Sequence, residues 1–369
     1  MFVQASLRRA IAASLFCAAS FTLMPNTSSA AALAKQPIQP KQTKFELLTT
    51  FGRGSLDGQE PIGVVATANG NLWGTAIGGQ FEGIIFEMSA AGGRRNIFDF
   101  TSNGPTIGSP STPFLGPDGN IYGTTGSTFF WVDTASLAFH AVEFNEPSFP
   151  LEANAPTTSD GAHTLYGSGS VFAAQNCGEI YAYDVVTHAV RVVTTFPWGN
   201  GTCPEGGGPA QLVYAAGYLY GIESEIQSPN AGAVFRMRAD GTQFSILRAF
   251  NDFDGAGPVG LVVSGNRVFG FTTGAPSSPF PPYFPGISPN IFAVNTDGSD
   301  FQLLYRFPKN PHFYAPPNTL LMASNGQLCG AAGSFGHGTR GNVFCLNGTG
   351  SLDILHVFRL PPADLYRTA

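Results

Sequence analysis

A short strand-like segment ending in phenylalanine returns seven times along this chain, and that repeat limits the folds open to it. The copies are Leu47–Phe51, Asn96–Phe100, His140–Phe144, Val192–Phe196, Ile246–Phe250, Leu303–Phe307 and Ile354–Phe358. Successive phenylalanines lie 49, 44, 52, 54, 57 and 51 residues apart. A period near 50 points to a propeller or solenoid, in which one supersecondary unit stacks on the next, rather than to unrelated domains.

Each interval repeats one internal order. An apolar strand (a) leads into a tight turn such as Asn69-Gly70, Asp118-Gly119, Asp160-Gly161, Gly265-Asn266 or Asn325-Gly326. Glycine there supplies the positive φ that short hairpins need. A strand (b) with an aromatic-Gly pair follows: Trp73-Gly74, Tyr122-Gly123, Tyr166-Gly167, Tyr220-Gly221 and Phe269-Gly270, with Cys329-Gly330 in the sixth copy. That glycine is expected to let neighbouring backbones approach closely. A strand (c) built around an aromatic comes next, as in Ile84–Met88 or Asn342–Leu346, and the Phe-ending strand (d) completes the unit.

A lone four-stranded sheet cannot bury both of its apolar faces, whereas sheets packed around an axis bury them against one another. No segment shows sustained helical periodicity. The expected fold is therefore all-β, a six-bladed β-propeller with four-stranded blades. Six a-b-c units favour six blades over seven. The surplus d-like strand, 44–51, is expected to pair with the last blade and help close the ring, because closure protects exposed edges. The domain reading is a signal peptide over 1–34, a linker over 35–43, the propeller over 44–360 and a tail over 361–369.

The signal-peptide reading rests on Arg8 and Arg9, the apolar run Ala10–Met24, and the Ala32-Leu33-Ala34 cleavage pattern. The run is shorter than the roughly 20 residues of a membrane span. The chain is thus expected to be secreted or periplasmic, with no membrane span after cleavage. The whole chain carries 18 basic and 24 acidic residues. Residues 1–34 hold two of the basic ones and no acid, so the mature charge is 16 − 24 = −8. That balance speaks against a nucleic-acid partner, since phosphate binding needs clustered Lys and Arg.

Four cysteines follow the signal: Cys177, Cys203, Cys329 and Cys345. An even number in an oxidising compartment suggests two disulfides, and sequence alone allows three pairings. Cys329 on strand b and Cys345 on strand c of the sixth unit fall on neighbouring strands about 4.8 Å apart, within disulfide range. That favours 329–345 and leaves 177–203.

The segments "NGNLWGTAIGG" (Asn69 to Gly79) and "EGIIFEM" (Glu82 to Met88) resemble the GloVer tandem-repeat family of exported bacterial proteins. "DGNIYGTTG" at 118–126 and "GYLYG" with "GAVFRM" in the fourth unit extend the likeness over about residues 45–358. The Gly-Gly and Gly-Thr-Thr signatures are incomplete in units three, four and six. The resemblance implies repetition and export; it implies no activity and no catalytic residue.

In an a-b-c-d blade the b–c and d–a loops share one rim. Here they are long and varied, and long loops on a rigid scaffold are where binding groups sit. Its candidate ligand-face residues are Glu82, Trp198, Glu223, Glu225, Tyr283, Phe284, His312, Tyr314, His337 and Arg340. Asp252 and Asp254 faintly suggest a calcium loop, since alternate acids can converge on a hard cation. Asp-Gly at that point is more often a turn. Calcium is the one cofactor the sequence suggests. No G-x-S-x-G elbow, H-E-x-x-H or phosphate loop occurs. The leading expectation is a non-enzymatic binding or surface-interaction module for polysaccharide or another exported protein. The alternative is an exported propeller hydrolase or lyase with an axial, metal-dependent site.

Overall fold

The computed structural model describes residues 4–5, 45–46, 48–49, 51, 60–78, 82–100, 108–126, 128–144, 151–171, 176–197, 207–225, 232–251, 254–273, 288–307, 319–332 and 339–359. Six antiparallel sheets follow one another along the chain, each built from consecutive strands in the order a-b-c-d. Blade I comprises Glu60–Ala66, Leu72–Ile77, Gly83–Met88 and Arg94–Phe100. Blade II comprises Phe114–Leu115, Ile121–Thr124, Thr128–Val132 and Phe139–Glu143. In blade III strand a is split into Leu151–Ala153 and Thr158–Ser159, followed by Thr164–Val171, Asn176–Asp184 and Val190–Pro197. Blade IV runs through Gly207–Ala215, Tyr218–Glu225, Ala233–Arg238 and Ser245–Ala249. Blade V runs through Pro258–Ser264, Arg267–Thr272, Asn290–Asn295 and Gln302–Arg306. Blade VI runs through Thr319–Met322, Leu328–Ala332, Thr339–Leu346 and Leu352–Arg359. This is the six-bladed β-propeller the repeat implied, and no helix occurs among the described residues.

The aromatic-Gly motif works differently from the expectation. In every blade the glycine of strand b stands directly opposite the strand-c aromatic: Gly74 with Phe86, Gly123 with Phe130, Gly167 with Tyr181, Gly221 with Phe235, Gly270 with Phe292 and Gly330 with Phe344. A Cβ on any of the first five would collide with that ring. The glycine therefore makes room for a side chain of its own blade, which lies across strand b toward strand a. These rings are fully buried or nearly so.

Blades are joined by the phenylalanine that ends strand d. Phe100 meets Phe130 with centroids 5.4 Å apart, Phe196 meets Phe235 at 5.9 Å, Phe250 meets Phe292 at 4.9 Å and Phe307 meets Phe344 at 5.9 Å. In each case strand d of one blade reaches strand c of the next. Tilted and edge-on pairs of this kind add roughly 0.5–1.5 kcal/mol beyond the area they bury. A register shift recurs in the c–d ladder of five blades, skipping Ile97, Val193, Leu247, Leu304 and Leu355. Each skipped residue lies three before the terminal phenylalanine, so the bulge is part of the repeat.

The N-terminal strand departs from its expected pairing. Phe45–Glu46 pairs with Gln4–Ala5, and blade VI draws all four of its strands from 319–359. Leu48 and Phe51 nonetheless approach blade I, where Leu48 O faces Gly92 and Phe51 packs on Phe86 at 5.2 Å.

Candidate functional site

The a–b and c–d turns are closed by short backbone hydrogen bonds, such as Gly70 N to Thr67 O (2.9 Å) and Gly298 N to Asn295 O (2.9 Å). The opposite rim, where b–c and d–a loops meet, is built differently. At the b–c end of each blade, two residues before the strand-c aromatic, stand Ile84, Thr128, Glu179, Ala233, Asn290 and Asn342. All six are buried. Their partners on strand b, or just past its end in the case of Thr125, are Ala76, Thr125, Gly169, Glu223, Thr272 and Ala332. Blade I thus closes this layer with apolar side chains, and blades II to VI each place at least one polar group there.

A polar side chain taken out of water costs free energy unless it is hydrogen-bonded. The layer meets this requirement in several ways. In blade II the hydroxyls of Thr125 and Thr128 lie 2.9 Å apart. In blade III Thr195 Oγ1 donates to Glu179 Oε1 at 3.2 Å. Burial pushes the Glu179 carboxyl above the ordinary carboxylate range, against the opposing effect of the Thr195 hydroxyl. In blade V Asn290 Nδ2 donates to the Asp254 carbonyl at 3.2 Å, and Asn290 N donates to Thr272 Oγ1 at 3.1 Å. Asn290 Oδ1 and Asn342 Oδ1, at the same repeat position in adjacent blades, accept no hydrogen bond among the described residues.

Of the residues picked from sequence, Glu223 belongs to this layer and is 2% exposed. Glu225 ends the same strand and Arg340 is the second residue of Thr339–Leu346, with both side chains outside the described residues. Trp198, Tyr283, Phe284, His312, Tyr314, His337 and Asp252 also lie outside the described residues. Glu82 is a fastener on this rim: its Oε2 accepts Gly108 N at 2.6 Å and ties the b–c end of blade I to the following d–a loop.

Asp254, one of the two acids of the faint calcium pattern, finds its carboxylate's partners within its own loop and strand. Its carboxylate pairs with the Arg248 guanidinium and accepts Asn251 N at 2.7 Å, while Arg248 also lies 4.1 Å over the Phe301 ring. The charge is already neutralised and the loop already folded around it. No cluster of three or more His, Cys, Asp or Glu able to hold a metal occurs among the described residues.

The sequence reading missed Glu179, Asn290 and Asn342. Their signal was visible: at one position before the strand-c aromatic the repeat changes from Ile or Ala to Glu, Asn and Asn. Cys329 and Cys345 form the expected disulfide on directly opposed residues. Cys177 is also disulfide-bonded, with its partner, like Cys203, outside the described residues. Away from this rim, Trp131 is stacked between His140 (5.0 Å) and His188 (4.8 Å), and Tyr183 Oη bonds His188 Nδ1 at 2.8 Å.

No family profile and no curated protein matches the chain. Solved structures do resemble it. An oligogalacturonate lyase in complex with manganese aligns over 82% of this chain and 76% of its own, at 11% identity and a TM-score of 0.54. An oligogalacturonate lyase from Vibrio parahaemolyticus aligns over 83% of this chain and 80% of its own, at 10% identity and a TM-score of 0.52. The extracellular domain of a protein described as a hybrid two component system from B. thetaiotaomicron aligns over 83% of this chain and 34% of its own, at 12% identity and a TM-score of 0.53. At such identities the likeness shows the shared propeller fold alone.

Proposed function

We propose that this is an exported, non-enzymatic binding propeller that engages a hydroxyl-rich ligand, a polysaccharide, through its b–c and d–a rim. One observation carries the reading. Buried polar side chains line the b–c end of blades II to VI, and two amide oxygens among them, on Asn290 and Asn342, accept nothing from the described residues. Carboxylates and amides suit sugar hydroxyls, which both donate and accept. In sequence, Trp198 falls between strands d and a and Tyr283 between strands b and c, and aromatic rings can stack on a sugar face. Export is supported by the signal-like N-terminus and by the disulfide pairing. The GloVer-like repeats fit the same picture.

The test is depletion of the mature protein, residues 35–369, from solution by a panel of insoluble polysaccharides and cell envelopes. Selective depletion by one polysaccharide class is the expected result. Depletion by envelopes alone would favour an exported protein partner instead.

A second reading, an exported hydrolase or lyase, is favoured by one feature. Glu179 is a buried carboxyl held above the ordinary range, the state a general acid needs. It predicts turnover of a soluble oligosaccharide that is lost in Glu179→Gln.

A further inference from the structure

The segment before blade I occupies a position the repeat reserves for a neighbouring blade. Three relations define that position. In blades IV, V and VI, a strand-c aromatic receives the d-strand phenylalanine of the preceding blade: Phe235 receives Phe196, Phe292 receives Phe250 and Phe344 receives Phe307. The c–d turn glycine of the receiving blade rests on a carbonyl three residues before that phenylalanine. Gly241 faces Val193 O, Gly298 faces Leu247 O and Gly350 faces Leu304 O. These glycines have positive φ (93°, 89° and 77°), so a side chain there would be strained, and at Gly241 it would also collide with the Val193 carbonyl.

Blade I receives Leu48 and Phe51 through the same two contacts, with Phe51 only partly buried. Phe51 packs on the strand-c ring of Phe86 at 5.2 Å. Leu48, three residues before it, presents its carbonyl to Gly92, whose φ is 88° and whose added Cβ would lie 3.2 Å away. Arg94 adds a guanidinium 4.5 Å over the Phe51 ring. Val64, Ala76, Ile84 and Phe86 complete the apolar floor. The segment Leu47-Leu-Thr-Thr-Phe51 is also nearly the same sequence as strand d of blade III, Val192-Val-Thr-Thr-Phe196.

Strand d of blade VI carries the same signature, with Leu355 skipped in the ladder and Phe358 three residues on. In a ring of six, that strand belongs to the blade before blade I. Yet Phe51, not Phe358, fills the Phe86 site. Every other such strand is tied to its own blade by a c–d hairpin, whereas residues 48–51 precede all six blades.

We infer that this face of blade I is a peptide-binding groove. It takes a segment with an aliphatic residue three before a phenylalanine, and the segment that carries Leu48 and Phe51 is its resident ligand. The phenylalanine fills the pocket over Phe86, the aliphatic residue's carbonyl seats on Gly92, and Arg94 closes over the ring. Affinity comes from the contacts of one partly buried aromatic ring with Phe86 and Arg94, so the signature and not the rest of the segment is read.

The test uses the mature chain carrying Phe51→Ala and a free peptide spanning 44–53. The variant is expected to melt below the parent. Millimolar peptide should raise its melting temperature toward the parent's, and the same peptide with its phenylalanine replaced by alanine should not. The parent, with its groove filled, should respond to neither. Phe51→Leu, which keeps apolar bulk without the ring, serves in the same assay if the alanine variant does not fold. A variant that melts with the parent, or one that answers both peptides equally, overturns the assignment.

Discussion

The glycine opposite each strand-c ring shows how one residue type fixes a blade. Gly221 has no positive φ, so alanine is open to its backbone. Replacing glycine where alanine fits would stabilise by about 0.4–1 kcal/mol through the unfolded chain. Here the methyl group would enter the Phe235 ring, and overpacking of that kind costs about 1–3 kcal/mol. The second effect is larger, so Gly221→Ala is expected to lower the urea midpoint. The motif was legible in the sequence, but its partner was not, because the ring that needs the space belongs to another strand. Glu179 carries a pH prediction. A carboxyl whose folded pKa is raised holds its proton longer in the native state than in the unfolded one. It therefore costs stability as pH rises above the unfolded value of about 4.3. Glu179→Gln should melt above the parent near neutral pH, with the gap closing below about pH 4. A constant gap across that range would contradict the assignment.

Strand d is the element on which the ring depends. Its inner phenylalanine joins two blades while its outer residues face solvent. Phe250 is 1% exposed and Ile246, four residues earlier, is 43% exposed. Phe250→Ala should therefore cost about 3–5 kcal/mol, and Ile246→Ala within about 0.5 kcal/mol, measured by chemical denaturation. Similar losses from both would mean that strand d does not connect blades in this way. The seven phenylalanines announced these strands from sequence. The bulge three residues before five of them was hidden, because a register shift depends on the partner strand and leaves no composition of its own. The same reason explains the N-terminal segment. Its d-like sequence was readable, but which neighbour would receive it was decided by the Phe86 ring and Gly92 of a different element.

For the whole molecule, a repeated four-strand unit left little freedom, since only a closed array buries both faces of every sheet. Blade number followed from counting a-b-c units. A candidate ligand face was harder to read, because residues from different blades are scattered along the chain. Topology offered only the choice between two rims. Polar substitutions at a single repeat position, Glu179, Asn290 and Asn342, reveal the layer beneath the b–c and d–a rim only once the copies are aligned on their strand-c rings. We propose that this rim, and not the tight-turn rim, meets the ligand. The most direct measurement is polysaccharide depletion of three proteins side by side. They are the parent, a Trp198→Ala/Tyr283→Ala double variant on the loop rim, and His163→Ala on the opposite a–b turn. The parent and His163→Ala should be removed from solution alike while the double variant remains. Equal removal of all three, or loss of binding in His163→Ala alone, would contradict it.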